Sequence, residues 1–176
     1  MSHPILIRPV RQDDAAALAT IYAAHVRHGT ATFEVEAPDA EEMRLRVATV
    51  VSRGWPWIVA ERAGEVIGYA YCGLFRTRHA YRFTCEDSIY VDADQVGTGA
   101  GRALLAGLIE AARAAGFREM IAVIGDADNR ASIGLHEALG FDHAGVMRRV
   151  GYKFDRWIDV IYMQKCLVEP GDPMLR

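Results

Sequence analysis

Val96-Gly97-Thr98-Gly99-Ala100-Gly101-Arg102-Ala103-Leu104-Leu105 is the stretch that decides the fold. It follows the strand-like run 83–91 and leads into a helix whose apolar face is Leu104, Leu105, Leu108, Ile109 and Ala112, ended by Gly116. Alternating glycines let the main chain approach an anion without side-chain collision. The helix start adds unpaired N–H groups and the positive end of the helix dipole. The sharp reading is a phosphate-binding turn; the plain one is an ordinary strand-to-helix connection. The nucleotide P-loop ends in Gly-Lys-Ser/Thr, whereas Arg102-Ala103 follows Gly101. The dinucleotide fingerprint needs its third glycine one residue beyond Gly101 and a first strand near the start of the fold. Neither pattern matches.

Upstream, the apolar stretch 5–7 reads as an edge strand closed by Arg8-Pro9. Asp13 or Asp14 caps a helix carrying Leu18, Ile21 and Tyr22, broken by Gly29-Thr30-Ala31-Thr32-Phe33. Pro38-Asp39 opens a second helix that stops near Gly54. The runs 57–61 and 66–71 flank Ala63-Gly64 as a hairpin. Downstream, 120–124 is a buried strand, Asp128 or Asn129 caps a helix ending at Leu139-Gly140, and strands at 143–150 and 157–167 close the fold. The order is β-α-α-β-β-β-α-β-α-β-β, an α/β pattern that predicts one mixed, mostly antiparallel sheet with helices on both faces.

At 176 residues the chain reads as a single domain, 1–168, with a loose tail at 169–176. A net charge of -3 argues against a nucleic-acid surface. Cys72, Cys85 and Cys166 have no zinc spacing, so no metal is expected and the thiols read as reduced. The start lacks the regions of a signal peptide, and no apolar run reaches the roughly 20 residues of a membrane span. A cytoplasmic protein follows, with no membrane partner.

With these elements the chain resembles the GNAT N-acetyltransferase superfamily over about residues 5 to 167. In that family [Q/R]-x-x-G-x-[G/A] wraps the pyrophosphate of acetyl-CoA with backbone amides. Gly99 and Gly101 match its small positions, while Val96 replaces the polar first residue and Gln95 stands one place early. The segments Glu86-Asp87-Ser88-Ile89-Tyr90-Val91, Asn129-Arg130-Ala131-Ser132-Ile133-Gly134-Leu135-His136 and Val150-Gly151-Tyr152-Lys153-Phe154-Asp155-Arg156-Trp157 look like the phosphinothricin and methionine sulfoximine acetyltransferase branch.

The resemblance implies roles. Acetyl-CoA is the co-substrate, held by Val96, Gly97, Thr98, Gly99, Ala100 and Gly101, with Asn129 as a further contact. Alternation puts Glu86, Ser88 and Tyr90 on one strand face and Asp87, Ile89 and Val91 on the other. An ammonium acceptor must lose a proton before attack, and Glu86 matches the general base, acting directly or through water. The N–H groups of Tyr90 and Val91 correspond to the family's oxyanion donors, on a strand that splays from its neighbour. His136 stands where many relatives have the tyrosine that protonates the leaving thiolate. It shares a helix side with Asn129 and Ser132. Arg76, Arg78, Tyr81 and Phe33 match acceptor-contacting positions, and arginine's planar fork suits a carboxylate or phosphinate. Arg82 is a weaker member of that set, and Cys85 reads as packing. The region Gly151–Lys153 with Trp157 packs at a homodimer interface in relatives. Acetylation of a small amino-acid-like amine is thus expected; acetylation of a protein N-terminus or lysine, or acyl-CoA sensing without turnover, are the alternatives.

Overall fold

The computed structural model describes residues 3–168 and Gly171. Apart from Gly171, the expected tail lies outside the described residues. The elements are β1 (Leu6–Pro9), α1 (Ala15–His28), α2 (Ala40–Val51), β2 (Trp57–Arg62), β3 (Glu65–Leu74), β4 (Thr84–Val91), α3 (Ala100–Ala114), β5 (Glu119–Gly125), α4 (Arg130–Glu137), β6 (Asp142–Lys153) and β7 (Arg156–Cys166). Short 3-10 turns lie at Gln12–Asp14, His79–Tyr81 and Ala93–Gln95. One seven-stranded sheet has the order β1-β2-β3-β4-β5-β7-β6. Every neighbouring pair is antiparallel except β4 and β5.

Each sheet face carries its own core. On one, α3 buries Leu104, Leu105 and Leu108 completely against Ala70, Met120 and Ala122. Each such leucine contributes about 1.5–3 kcal/mol by leaving water. On the other, α1 presents Leu18, Ile21, Tyr22 and Val26, at helical spacing, to Val59, Tyr69 and Tyr90. Asp39 caps α2 by accepting from the Glu42 N–H at 2.8 Å. Asp14 does not cap α1 as the sequence suggests. It is itself in helical conformation, and its carboxylate accepts from the Arg8 guanidinium (2.8 and 2.9 Å) and the Arg11 N–H (2.6 Å).

The feature that positions the site is the end of the parallel pair. β4 and β5 are in register only from Thr84↔Glu119 to Asp87↔Ala122. Beyond that point β4 stays paired with β3 as far as Val91, and β5 with β7 as far as Gly125. The two strands therefore part, and one edge of Ser88–Val91 has no strand partner.

Candidate active site

A cavity of about 300 Å³ fills that parting. Its walls come from both sheet faces: Glu86, Ser88, Tyr90 and Tyr71 from one, Asp87, Ile89, Asn129, Ser132 and His136 from the other. Thr32 and Phe33 close it from the α1–α2 connection.

Glu86 is half-buried, and Arg76 Nη1 stands 4.0 Å from its Oε2. Burial raises the Glu86 carboxyl above the usual carboxylate range, against the Arg76 charge and with that of Asp87. A carboxyl with a raised value is a stronger base than an ordinary carboxylate, the direction a proton acceptor needs.

His136 is only 3% exposed, and both of its nitrogens are engaged. Nδ1 lies 2.7 Å from the Ser132 carbonyl, which can only accept, so Nδ1 carries hydrogen. Nε2 lies 3.2 Å from Asp87 Oδ2. Burial opposes the imidazolium, but the Asp87 hydrogen bond and charge outweigh it, and the ring is held above its ordinary value. Asp87 is buried too, and its Oδ1 has no partner. Alternation puts Asp87 on the face opposite Glu86 and gives it no role. It does face away, and meets His136 there; only the pairing of β4 with α4 reveals it.

The anion turn has the geometry its glycines suggest. Gly97 (φ 79) and Gly99 (φ 90) are left-handed, and Gly99 caps α3 without a side-chain bond. The first helical bond runs from the Ala103 N–H to the Gly99 carbonyl at 3.0 Å. The N–H groups of Ala100, Gly101 and Arg102 precede it and are free for an anion. Val96, Gly97, Thr98 and Gly99 are exposed; the Ala100 side chain is buried, leaving its amide as the group it can offer. Thr98 Oγ1 donates to the Gln95 carbonyl at 2.7 Å, and Gln95 Oε1 accepts from Arg62 at 2.6 Å. Gln95 is thus turned to the sheet rather than the turn.

Asn129 lines the cavity, but its Oδ1 caps α4 by accepting from the Ser132 N–H at 3.2 Å. Its NH2 group is what it has left to offer. Tyr90 lines the cavity and packs edge-on against Tyr22, centroids 4.8 Å apart. The Val91 carbonyl lies 2.9 Å from His25 Nε2, and its side chain packs on the α3 core. Among the acceptor candidates, Phe33 is a cavity wall and Arg76 stands beside Glu86. Arg78 and Tyr81 are exposed on the turn between β3 and β4 and do not line the cavity. Cys85 is fully buried on the Asp87 face, as alternation requires. The sequence signal missed Thr32, Tyr71 and Ser88, because small or aromatic residues in strands and loops look the same whether they line a cavity or a core. Among the described residues no His, Cys, Asp and Glu group could hold a metal ion, and no helix is long and apolar enough to cross a membrane.

Comparison with known proteins agrees with this geometry. An acetyltransferase (GNAT) domain model matches residues 7–162. The phosphinothricin N-acetyltransferase of Alcaligenes faecalis is 52% identical over 169 residues, covering 96% of this chain and 85% of that protein. The L-methionine sulfoximine/L-methionine sulfone acetyltransferase of Pseudomonas aeruginosa is 42% identical, covering 90% of this chain and 92% of the relative. The crystal structure of a GNAT superfamily phosphinothricin acetyltransferase from Sinorhizobium meliloti in complex with AcCoA superposes with a TM-score of 0.90 at 43% identity, covering 96% of this chain and 94% of the other. With the domain model matching most of its length and relatives at 42–52% identity along nearly all of it, the chain belongs to the GNAT acetyltransferases.

Proposed function

We propose that this protein transfers the acetyl group of acetyl-CoA to the primary amine of a small amino-acid-like acceptor of the phosphinothricin, methionine sulfoximine or methionine sulfone type. One observation carries the reading: the cavity between β4 and β5 has Glu86 on its wall, and the free amides of α3 follow at the end of the same strand. Those amides suit a diphosphate, and the unpaired edge of β4 suits an amide-bearing arm. When bound, acetyl-CoA supplies the activated acyl group. Glu86 takes a proton from the acceptor ammonium, and the N–H of Val91, on the unpaired edge of β4, receives the charge that develops on the carbonyl oxygen; the ladder turns the Tyr90 N–H to the Tyr69 carbonyl, so of the two donors the family resemblance implies only Val91 is available. His136, its ring biased toward the charged form by Asp87, is the proton source for the departing thiolate, its Nε2 exchanging Asp87 for the sulfur as it gives up the proton. Transfer is direct: Cys85 is buried on the far face of the strand and is no nucleophile.

On the acceptor side, Arg76 takes the acid group and Phe33 the side chain, while Arg78 and Tyr81 stand at the approach. A cavity of about 300 Å³ suits a free amino acid better than a folded protein substrate. The names of the relatives point the same way. We further read residues 1–168 as one domain working as a homodimer in the cytoplasm. Val146, Met147, Val150, Tyr152, Phe154 and Trp157 leave an apolar stripe exposed along β6 and its hairpin, the kind of patch a second copy covers. Free thiols suit a reducing compartment.

A thiol-release assay with acetyl-CoA tests the reading across methionine sulfone, methionine sulfoximine, phosphinothricin and short peptides. Turnover of the small acceptors is expected. Turnover confined to peptides refutes the substrate class; acetyl-CoA binding without any turnover refutes the enzyme.

A further inference from the structure

The segment Thr30–Phe33 has no regular structure, yet Ala31, Thr32 and Phe33 all line the cavity. A wall of that kind keeps its shape only if something holds it. The holding groups come from the far end of the chain.

β6 and β7 are joined by a two-residue turn, Phe154 (φ 53) and Asp155 (φ 57), both left-handed. Beside that turn Lys153 points inward and is 5% exposed. Its Nζ donates to the carbonyls of Gly29 and Thr32, each at 2.8 Å. Burial pulls this ammonium below the ordinary lysine value, with only the Glu34 charge opposing. Sinking a cation here carries a desolvation cost, offset by the two carbonyls and by the Phe154 ring, whose centroid is 5.1 Å from Nζ. A second tie runs through Asp126, left-handed at φ 76. It accepts from Thr30 Oγ1 at 3.0 Å and from the guanidinium of Arg156 on the same hairpin. The third is steric. A Cβ on Gly125 would lie 2.4 Å from the Thr30 carbonyl oxygen, and one on Gly151 would lie 2.3 Å from the Phe33 ring. The segment therefore rests directly on bare main chain of β5 and β6.

We propose that Lys153 is a positioning residue for the acceptor: its ammonium, with the seats at Gly125 and Gly151, locks Thr30–Phe33 as a fixed wall, so the β6–β7 hairpin sets which acceptors fit beside Glu86. The proposal rests on the acetyl-transfer reading above. Lys153 does not line the cavity and acts through the segment it ties.

Lys153→Met keeps the stem and removes the ammonium. With methionine sulfone as acceptor, KM rises about tenfold or more, kcat stays within about threefold, and acetyl-CoA affinity by calorimetry is unchanged. Hydrogen exchange of residues 29–34 quickens in the variant while that of 97–105 does not. Thr30→Val, which cuts only the Asp126 tie, gives a smaller change of the same kind and decides the matter alone if Lys153→Met does not fold. Unchanged exchange at 29–34 overturns the proposal whatever KM does. So does a fall in acetyl-CoA affinity and kcat that matches the rise in KM. If the parent turns over no small amine, the acetyl-transfer reading fails separately, and the exchange experiment still judges the lock.

Discussion

Replacing Asp87 by Asn should move the His136 ring from above its ordinary value to below it. The asparagine keeps the shape and an acceptor oxygen but removes the charge. The carboxylate that outweighs burial is then gone, so desolvation acts unopposed by charge and the ring falls below its ordinary value. Leaving a buried charge without its partner costs about 3–5 kcal/mol. The ring escapes part of that by losing its proton, which leaves the difference between a charged and a neutral hydrogen bond, about 1–2 kcal/mol. A group whose folded-state value is raised stabilises fully below its unfolded value, about 6.5 for histidine, and loses that contribution as pH climbs through the folded value. The variant's deficit is therefore largest in mild acid and fades in mild alkali. For a chain of this size about 2 kcal/mol lowers Tm by about 4–8 °C at about pH 5.5. The assay is the NMR titration of the His136 ring together with thermal unfolding at about pH 5.5 and 8.5. A ring that titrates alike in both proteins, or a deficit independent of pH, refutes the reasoning.

Glu86→Gln should lower kcat by about 10²–10⁴-fold with acetyl-CoA affinity retained. It should also erase an acid limb that, in the parent, lies above the ordinary carboxylate range because burial raises Glu86; thiol release against pH checks both. Gly99→Val puts a β-branched residue at φ 90 in the cap of α3, and calorimetry should report about tenfold weaker acetyl-CoA binding. Trp157→Lys, in the exposed stripe, should shift sedimentation from about twice to once the mass of 19.4 kDa, leaving the fold intact by circular dichroism.

The anion turn was the most legible part, because glycines at fixed offsets before an amphipathic run have few other uses. Helix faces and the alternation of β4 followed from spacing alone, and both cores lie where that spacing puts them. Asp39 and Asn129 cap as read, while Asp14 does not, since Arg8 and Arg11 compete for the same carboxylate. Glu86 and His136 were legible as a carboxylate in a strand and an imidazole on a helix; that both line one cavity follows from where β5 leaves β4, which local sequence does not encode. Lys153 was the least legible. In sequence it stands beside a hairpin turn, where a lysine reads as solvated, and its partners are 121 and 124 residues away.

Because the cavity crosses the sheet, the two reactants are recognised by structure that shares little backbone. In the function proposed above, diphosphate recognition falls to the start of α3, whereas the acceptor is met by the segment tethered through Gly29 and Thr32 and by the arginines after β3. Selection acting on the latter can retune which amine is modified while the nucleotide grip stays constant. A change confined to the acceptor side would alter the choice of amine and leave the donor site as it is.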